Sequence, residues 1–371
     1  MPDGLEKKPI TVEEILEYVA HKQIILLKDA SGLDFSGVSL ASTMFVECSL
    51  RGCDFTRTDL TGAMFTSCSM QGARFTGNQL ASVQFVKCNL KETDFSDAEL
   101  DTIQIVASKL PRVGFQGASL NRVAFTAANV KQADFSEGTL ERCAFLDCQI
   151  TGLNLSSSVA NSLIITKADL RTVNLDDIHI DTAVFAEANL SGMNIAGQSW
   201  QKCTFTEGLF HKTDMRQAQV SGSVFSECDF AEALMTGLSA KMTSFTKSKL
   251  DGVDLSGSDM TMASFPEASL AGANLEGNKL YSAVFLSANC KGARFERCDL
   301  TQAEMSHADL SGAILSASRF SNTKLHAAQT DGALMFGVTG STIGTDQARA
   351  IGELYSPRRV TLEEEHTAGR A

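Results

Sequence analysis

Residues 41–60 read ASTMFVECSLRGCDFTRTDL, with Phe45, Leu50, Phe55 and Leu60 five apart. From Phe35 to Met335 every fifth residue belongs to this register without a slip. Of its sixty-one slots only Ala160, Ala240, Cys290 and Thr330 are small or polar, and Trp200 is the largest. Of the 22 Phe, all but Phe336 occupy these slots. Two residues before each slot lies a second class of mostly small side chains (Ala, Cys, Thr, Ser, Val). Neither class contains a single Asp, Glu, Lys or Arg, although such residues make up 20% of the chain.

A period of five suits neither regular element. On a helix, steps of five scatter around the surface, and on a flat strand an odd step alternates faces. The remaining solution is a chain that turns after every fifth residue and keeps one side chain per side pointing at a common axis. Such a coil is stable only when stacked on others. Slots ending in 5 from Phe35 to Phe145 are Phe apart from Ile105, while slots ending in 0 from Leu40 to Ile150 are aliphatic. That alternation predicts a four-sided, 20-residue coil with Phe on two opposite walls. Nineteen of the 22 Gly within residues 33–337 fall two residues after a slot, as at Gly37, Gly52 and Gly62. A corner needing positive φ selects Gly there.

Units such as Ala133-Asp134-Phe135, Ala168-Asp169-Leu170, Ala273-Asn274-Leu275 and Ala308-Asp309-Leu310 resemble the A-(D/N)-L-x-x motif of the pentapeptide-repeat family. The resemblance implies an all-β fold, a right-handed quadrilateral parallel β-helix. The reading expects about 15 coils, stacked at ~4.8 Å into a rod roughly 73 Å long. Three regions are expected: residues 1–30 as a capping helix and strand, 31–340 as the β-helix, and 341–371 as a short cap and flexible tail. Thr11 is placed to cap a helix over 12–20, with Glu14 completing a capping box. Residues 23–27 read as a strand, 347–351 as a short helix stopped by Gly352, and 361–371 as polar and disordered. The start is charged and lacks the apolar run of a signal peptide, and no apolar stretch is long enough to span a membrane. The expected location is the cytoplasm, with export by a dedicated secretion system left open.

Little in the sequence points to chemistry. Nine of the ten Cys occupy the small inward slot and Cys290 the large one, and no C-x-x-C occurs. They read as packing residues. His21, His179, His211, His307, His326 and His366 are scattered, at no spacing that suggests a ligand set. Neither a phosphate loop nor a nucleophile elbow is present. No catalytic residue, metal or cofactor is therefore expected.

The outer surface is more informative. The wall through Phe45, Phe65 and Phe85 carries no charge at the 26 positions flanking its slots from Met44 to Leu286. Its apolar members are Met44, Val46, Met64, Val86, Val106, Leu146, Ile164, Val184, Val224, Val284 and Leu286. They form a candidate protein-binding strip, the alternative being an ordinary β-sheet face rich in strand-forming residues. The corner acids Glu187, Glu207 and Glu227 would rim it, while the opposite wall offers Asp34, Asp54, Arg74, Asp94 and Asp134.

The expected role is a non-enzymatic interaction or scaffold rod with a protein partner the sequence does not name, a homodimer included. Its layout of a short N-terminal helix before an uninterrupted array is similar to that of bacterial type VI secretion-associated proteins. The family resemblance implies an alternative, a DNA mimic acting on a type II topoisomerase such as DNA gyrase. Mimicry needs a dense acidic surface. The net charge of about −9 over residues 31–340 is mixed with Lys241, Lys247, Lys249, Arg294 and Arg297. Direct binding to nucleic acid is not expected.

Overall fold

Strands Met44–Val46, Met64–Thr66 and Gln84–Val86 pair in parallel with a register of 20, so that Phe45, Phe65 and Phe85 stack. The structure is a computed structural model describing residues 7–354. Its architecture is the expected quadrilateral β-helix. One wall is an 11-stranded parallel sheet running from Ile25–Leu26 to Val224–Ser226. A second is a 7-stranded sheet from Gln79–Ala81 to Trp200–Gln201. The other two are ladders of single bridges, such as Asp34↔Asp54↔Arg74↔Asp94 and Ser49↔Ser69↔Asn89. The better-formed sheet lies where Phe is flanked at several coils by Val and Thr, whose branching at Cβ favours extended backbone.

The solenoid makes about 17 turns rather than 15. The reason lies at both ends. Lys8–Pro9 pairs with Lys28–Asp29 at the same 20-residue spacing, and Ile10 and Ile15 enter the core ahead of the first full coil. At the far end Thr339–Ile343 pairs with Arg319–Lys324 and lays down one more partial coil.

Inside, the Phe rings form columns. Phe55 and Phe75 stack with centroids 4.8 Å apart and planes at 8°. Phe75 meets Phe85 of the opposite column edge-on at 6.3 Å and 86°. Offset stacking along the axis and edge contacts across it are the two favourable aromatic geometries. Trp200 is buried among Phe185 and Phe205, and its indole N–H donates to Gln198 Oε1 at 3.0 Å.

The small inward class does more than fill space. Thr58 Oγ1 donates to Phe35 O at 2.7 Å, Thr213 to Leu190 O at 3.0 Å and Cys53 Sγ to Ala30 O at 3.0 Å, each reaching back 23 residues. A hydroxyl or thiol in this slot thus finds a backbone carbonyl, commonly in the previous coil and, for Ser158 and Ser258, in its own at Leu155 O and Leu255 O. Asn78 uses its amide in the same way, donating to Phe55 O at 2.8 Å. Thr43 Oγ1 is an exception among the described residues.

Corners take positive φ as the Gly spacing implied, but not only where Gly stands. Ser42, Glu47, Arg57, Met242 and Met262 also have φ between 52° and 60°. The left-handed conformation costs a non-glycine residue ~1 kcal/mol. It is held because the corner N–H bonds the next coil, as Ser42 N does with Thr61 O at 2.8 Å, while the side chain points to solvent.

The first helix, α1, spans Val12–Ala20 with Thr11 as N-cap and the full capping box. Glu14 N donates to Thr11 Oγ1 and Thr11 N to Glu14 Oε2. The second helix, α2, spans Gln347–Leu354, so Gly352 does not end it as expected. Asp346 Oδ1 caps its start by accepting from Ala348 N and Arg349 N. The Arg349–Glu353 pair, 2.7 Å and one turn apart, recovers about 0.3–0.5 kcal/mol of the ~1 kcal/mol that the glycine costs. Residues 361–371 lie outside the described residues.

Candidate protein-docking wall

The strip residues flank buried slots on the 11-stranded wall and its bridged continuation. Each triplet buries its middle residue and turns the two flanking side chains outward, as in Met44–Val46 and Val184–Ala186. Met44, Val46, Met64, Val86, Val106, Leu146 and Val284 are half-buried. Ile164, Val184, Val224 and Leu286 are more open, at 37–39% exposure. The ladder continues through Val224↔Ser244↔Ser264↔Val284 and then meets Glu304 and Lys324, which pair at 3.1 Å. The uncharged surface thus stops at an ion pair. Because the same residues make the best sheet in the molecule, their strand-forming character accounts for part of the pattern. Met44, Met64 and Leu146 exceed what strand formation requires.

Two contributors were not read from the sequence. Met242 and Met262 occupy successive corners entering this wall and are 62% and 53% exposed. Their signal was available: a long apolar side chain at a corner position otherwise filled by Gly or polar residues. Glu187, Glu207 and Glu227 stand at the other corner of the wall, all exposed and all at positive φ. Glu207, Glu227 and Lys247 line one shallow groove with Leu209, Asp229 and Lys249.

Elsewhere several acids are paired with a cation. Asp54 bonds Arg74, Glu92 bonds Arg112, Asp101 bonds Arg122 at 2.8 Å and Asp214 bonds Arg216 at 2.6 Å. Glu276 lies between Arg294 and Arg297. The Arg216 guanidinium, followed by the Arg216 N–H, holds the Asp214 carboxyl below its ordinary range.

All ten Cys are buried and free. Burial pushes the Cys298 thiol up to about 12 and Cys203 up to about 11. A thiol so shifted has little thiolate to react or to bind metal.

The histidines differ from expectation. His307 and His326 come together on successive coils and meet Glu353 of α2, with one ligand atom of each within 4.8 Å of the others. A separation of 19 residues is close to one coil, and a returning helix supplies the third group. Local spacing rules do not register either fact.

The family model described as pentapeptide repeat region matches residues 29–92 and 79–155, and that described as pentapeptide repeats (8 copies) matches 213–252, 248–285 and 288–326. The chain belongs to the pentapeptide-repeat family. Among solved structures, this pentapeptide-repeat protein is similar to trypsin-treated QnrB1, a plasmid-mediated fluoroquinolone resistance protein. The identity is 20% over 42% of this chain and 91% of that one, with a TM-score of 0.26. It is also similar to HetL, a pentapeptide repeat protein involved in heterocyst differentiation regulation, from the cyanobacterium Nostoc sp. strain PCC 7120. There the identity is 19% over 89% and 94% of the two chains, with a TM-score of 0.14. A third likeness is to Rfr23 from the cyanobacterium Cyanothece 51142, at 15% identity over 44% and 91%, with a TM-score of 0.10. Superposition scores this low add nothing to the family assignment. No curated protein sequence matches the chain. No helix among the described residues is long and apolar enough to cross a membrane.

Proposed function

We propose that this chain is a non-enzymatic interaction rod that docks a protein partner along the wall from Met44 to Leu286. The observation that carries the reading is the absence of charge from 26 outward positions of one wall, ending where Glu304 and Lys324 pair. A long uncharged face on an otherwise charged surface is the usual form of a docking site. The capped helix followed by an unbroken array fits the setting of a type VI secretion-associated accessory protein or effector. A cytoplasmic site of synthesis belongs to the same reading.

The DNA-mimic alternative is less well supported. Mimicry requires carboxylates standing free at phosphate-like intervals, and here many acids face an Arg, a Lys or a backbone N–H. The test of the preferred reading is Met64→Lys with Val106→Lys. Both side chains face outward, so circular dichroism should be unchanged. Self-association measured by light scattering, or recovery of a cellular partner, should fall at least tenfold. A monomeric wild type that keeps its partners after double substitution would reduce the wall to plain sheet surface.

A further inference from the structure

Among its described side chains α2 makes little apolar contact. Its described side chains are exposed or half-buried, and Ile351, its large described apolar residue, is 70% exposed. An eight-residue helix has no stability of its own in water. Its described ties to the array converge on one place. His326, only 5% exposed at its side chain, lies 3.1 Å from Glu353 Oε2 through Nε2, and His307 Nε2 lies 3.3 Å from the same oxygen. Asp346 N approaches His326 Nδ1 at 3.1 Å, and Ala327 N donates to Thr345 Oγ1 at 3.2 Å.

We propose that His307, His326 and Glu353 form a transition-metal site, suited to Zn²⁺, that clasps α2 onto the last coils of the rod. Two imidazoles and one carboxylate are a common zinc donor set, and the two nitrogens select against Mg²⁺ and Ca²⁺. Zinc bonds of about 2.0–2.1 Å at tetrahedral angles put neighbouring donor atoms about 3.3 Å apart. The two contacts at Glu353 Oε2, 3.1 and 3.3 Å, match that spacing. Arg349 Nε donates to the other carboxylate oxygen, Oε1, at 2.7 Å and leaves Oε2 to face the imidazoles. This is the outer support that orients a monodentate ligand. His307 and Glu353 are each about a third exposed, so a water can complete the shell.

One contact opposes loading. With Asp346 N–H directed at Nδ1, neutral His326 carries its proton on Nε2, where it bonds Glu353. Binding metal at Nε2 moves that proton to Nδ1, so the Asp346 amide must turn away. This rearrangement weakens binding relative to a preformed site, and without metal the three groups form a purely hydrogen-bonded clasp.

The experiment uses the full chain, freed of any affinity tag and stripped with chelator. Titration calorimetry with Zn²⁺ should show one ion per chain, and Mg²⁺ should show none. Glu353→Gln and His326→Ala should each weaken Zn²⁺ binding at least tenfold. Glu353→Gln serves as the safer variant because it changes an exposed helix position and leaves the core untouched. Co²⁺ should give a ligand-field absorption without a thiolate charge-transfer band, which separates this site from the buried cysteines. Trypsin cleavage after Arg349 should slow at least fivefold with Zn²⁺ in the wild type and not in Glu353→Gln. Failure of the wild type to take up zinc, uptake unaltered by both substitutions, or cleavage at Arg349 indifferent to zinc would each overturn the proposal.

Discussion

Thr61 donates its backbone N–H to Asp59 Oδ1 at 3.1 Å. The same bond recurs from Ser36 to Asp34, Ser96 to Asp94, Ser136 to Asp134 and Ser156 to Asn154. Where Asp or Asn precedes a slot, its side chain thus closes a turn by accepting the N–H two residues on. Asn serves as well as Asp, so in this role the negative charge is incidental.

A pH dependence follows from that bond. The Thr61 N–H, reinforced by the Thr61 and Ser39 hydroxyls, holds the Asp59 carboxyl below its ordinary value. A depressed folded pKa stabilises above the unfolded value of about 3.9 and is lost as pH falls through the folded value. Asp59→Asn should keep the turn and remove this part of the acid sensitivity, whereas Asp59→Ala should cost ~1 kcal/mol at neutral pH. Urea midpoints measured from neutral pH down into the acid limb distinguish the variants.

Gyrase supercoiling provides the second test. The chain is expected not to inhibit it at micromolar concentration. Clear inhibition that weakens steeply with salt and is abolished by Asn at Asp34, Asp54 and Asp94 would promote the mimic reading instead.

The third concerns the core. Phe85 stacks on Phe65 at 5.2 Å and meets Phe75 and Phe95 edge-on. Phe85→Ala should cost ~3–5 kcal/mol. Phe85→Asp should cost more, because it buries a charge with no partner. Loss should spread to adjacent coils, which support one another. Thermal melting is the readout, and an unshifted Phe85→Asp transition would contradict the packing.

The fourth concerns the thiols. Native protein should react slowly with a thiol reagent, and denatured protein should expose ten thiols. Rapid labelling of several native cysteines would show that the coils open more readily than their packing implies.

Much of the candidate wall was legible because each outward position is a fixed offset from a slot. Met64 and Val106 could be assigned a direction once Phe65 and Ile105 were read as inward. The corners were less legible. Glycine spacing marked positive φ, yet Met242 and Glu47 adopt it too, because the inter-coil hydrogen bond pays for the strain and propensity alone does not reveal that bond. The helix end was missed at Gly352 because its compensation comes from the Arg349–Glu353 pair and from histidines on other coils.

By itself the sequence determined the period, the four walls, the inward and outward faces and the capped start of α1. These depend on local spacing and on excluding charge from a dry core, and both leave a mark at every repeat. The tertiary structure alone decided the extra turns, the carbonyl partners of Thr58 and Cys53, and the meeting of His307, His326 and Glu353. Those contacts join residues a coil or more apart through stacking or through a helix that folds back. Their geometry exists only once the coils are in register.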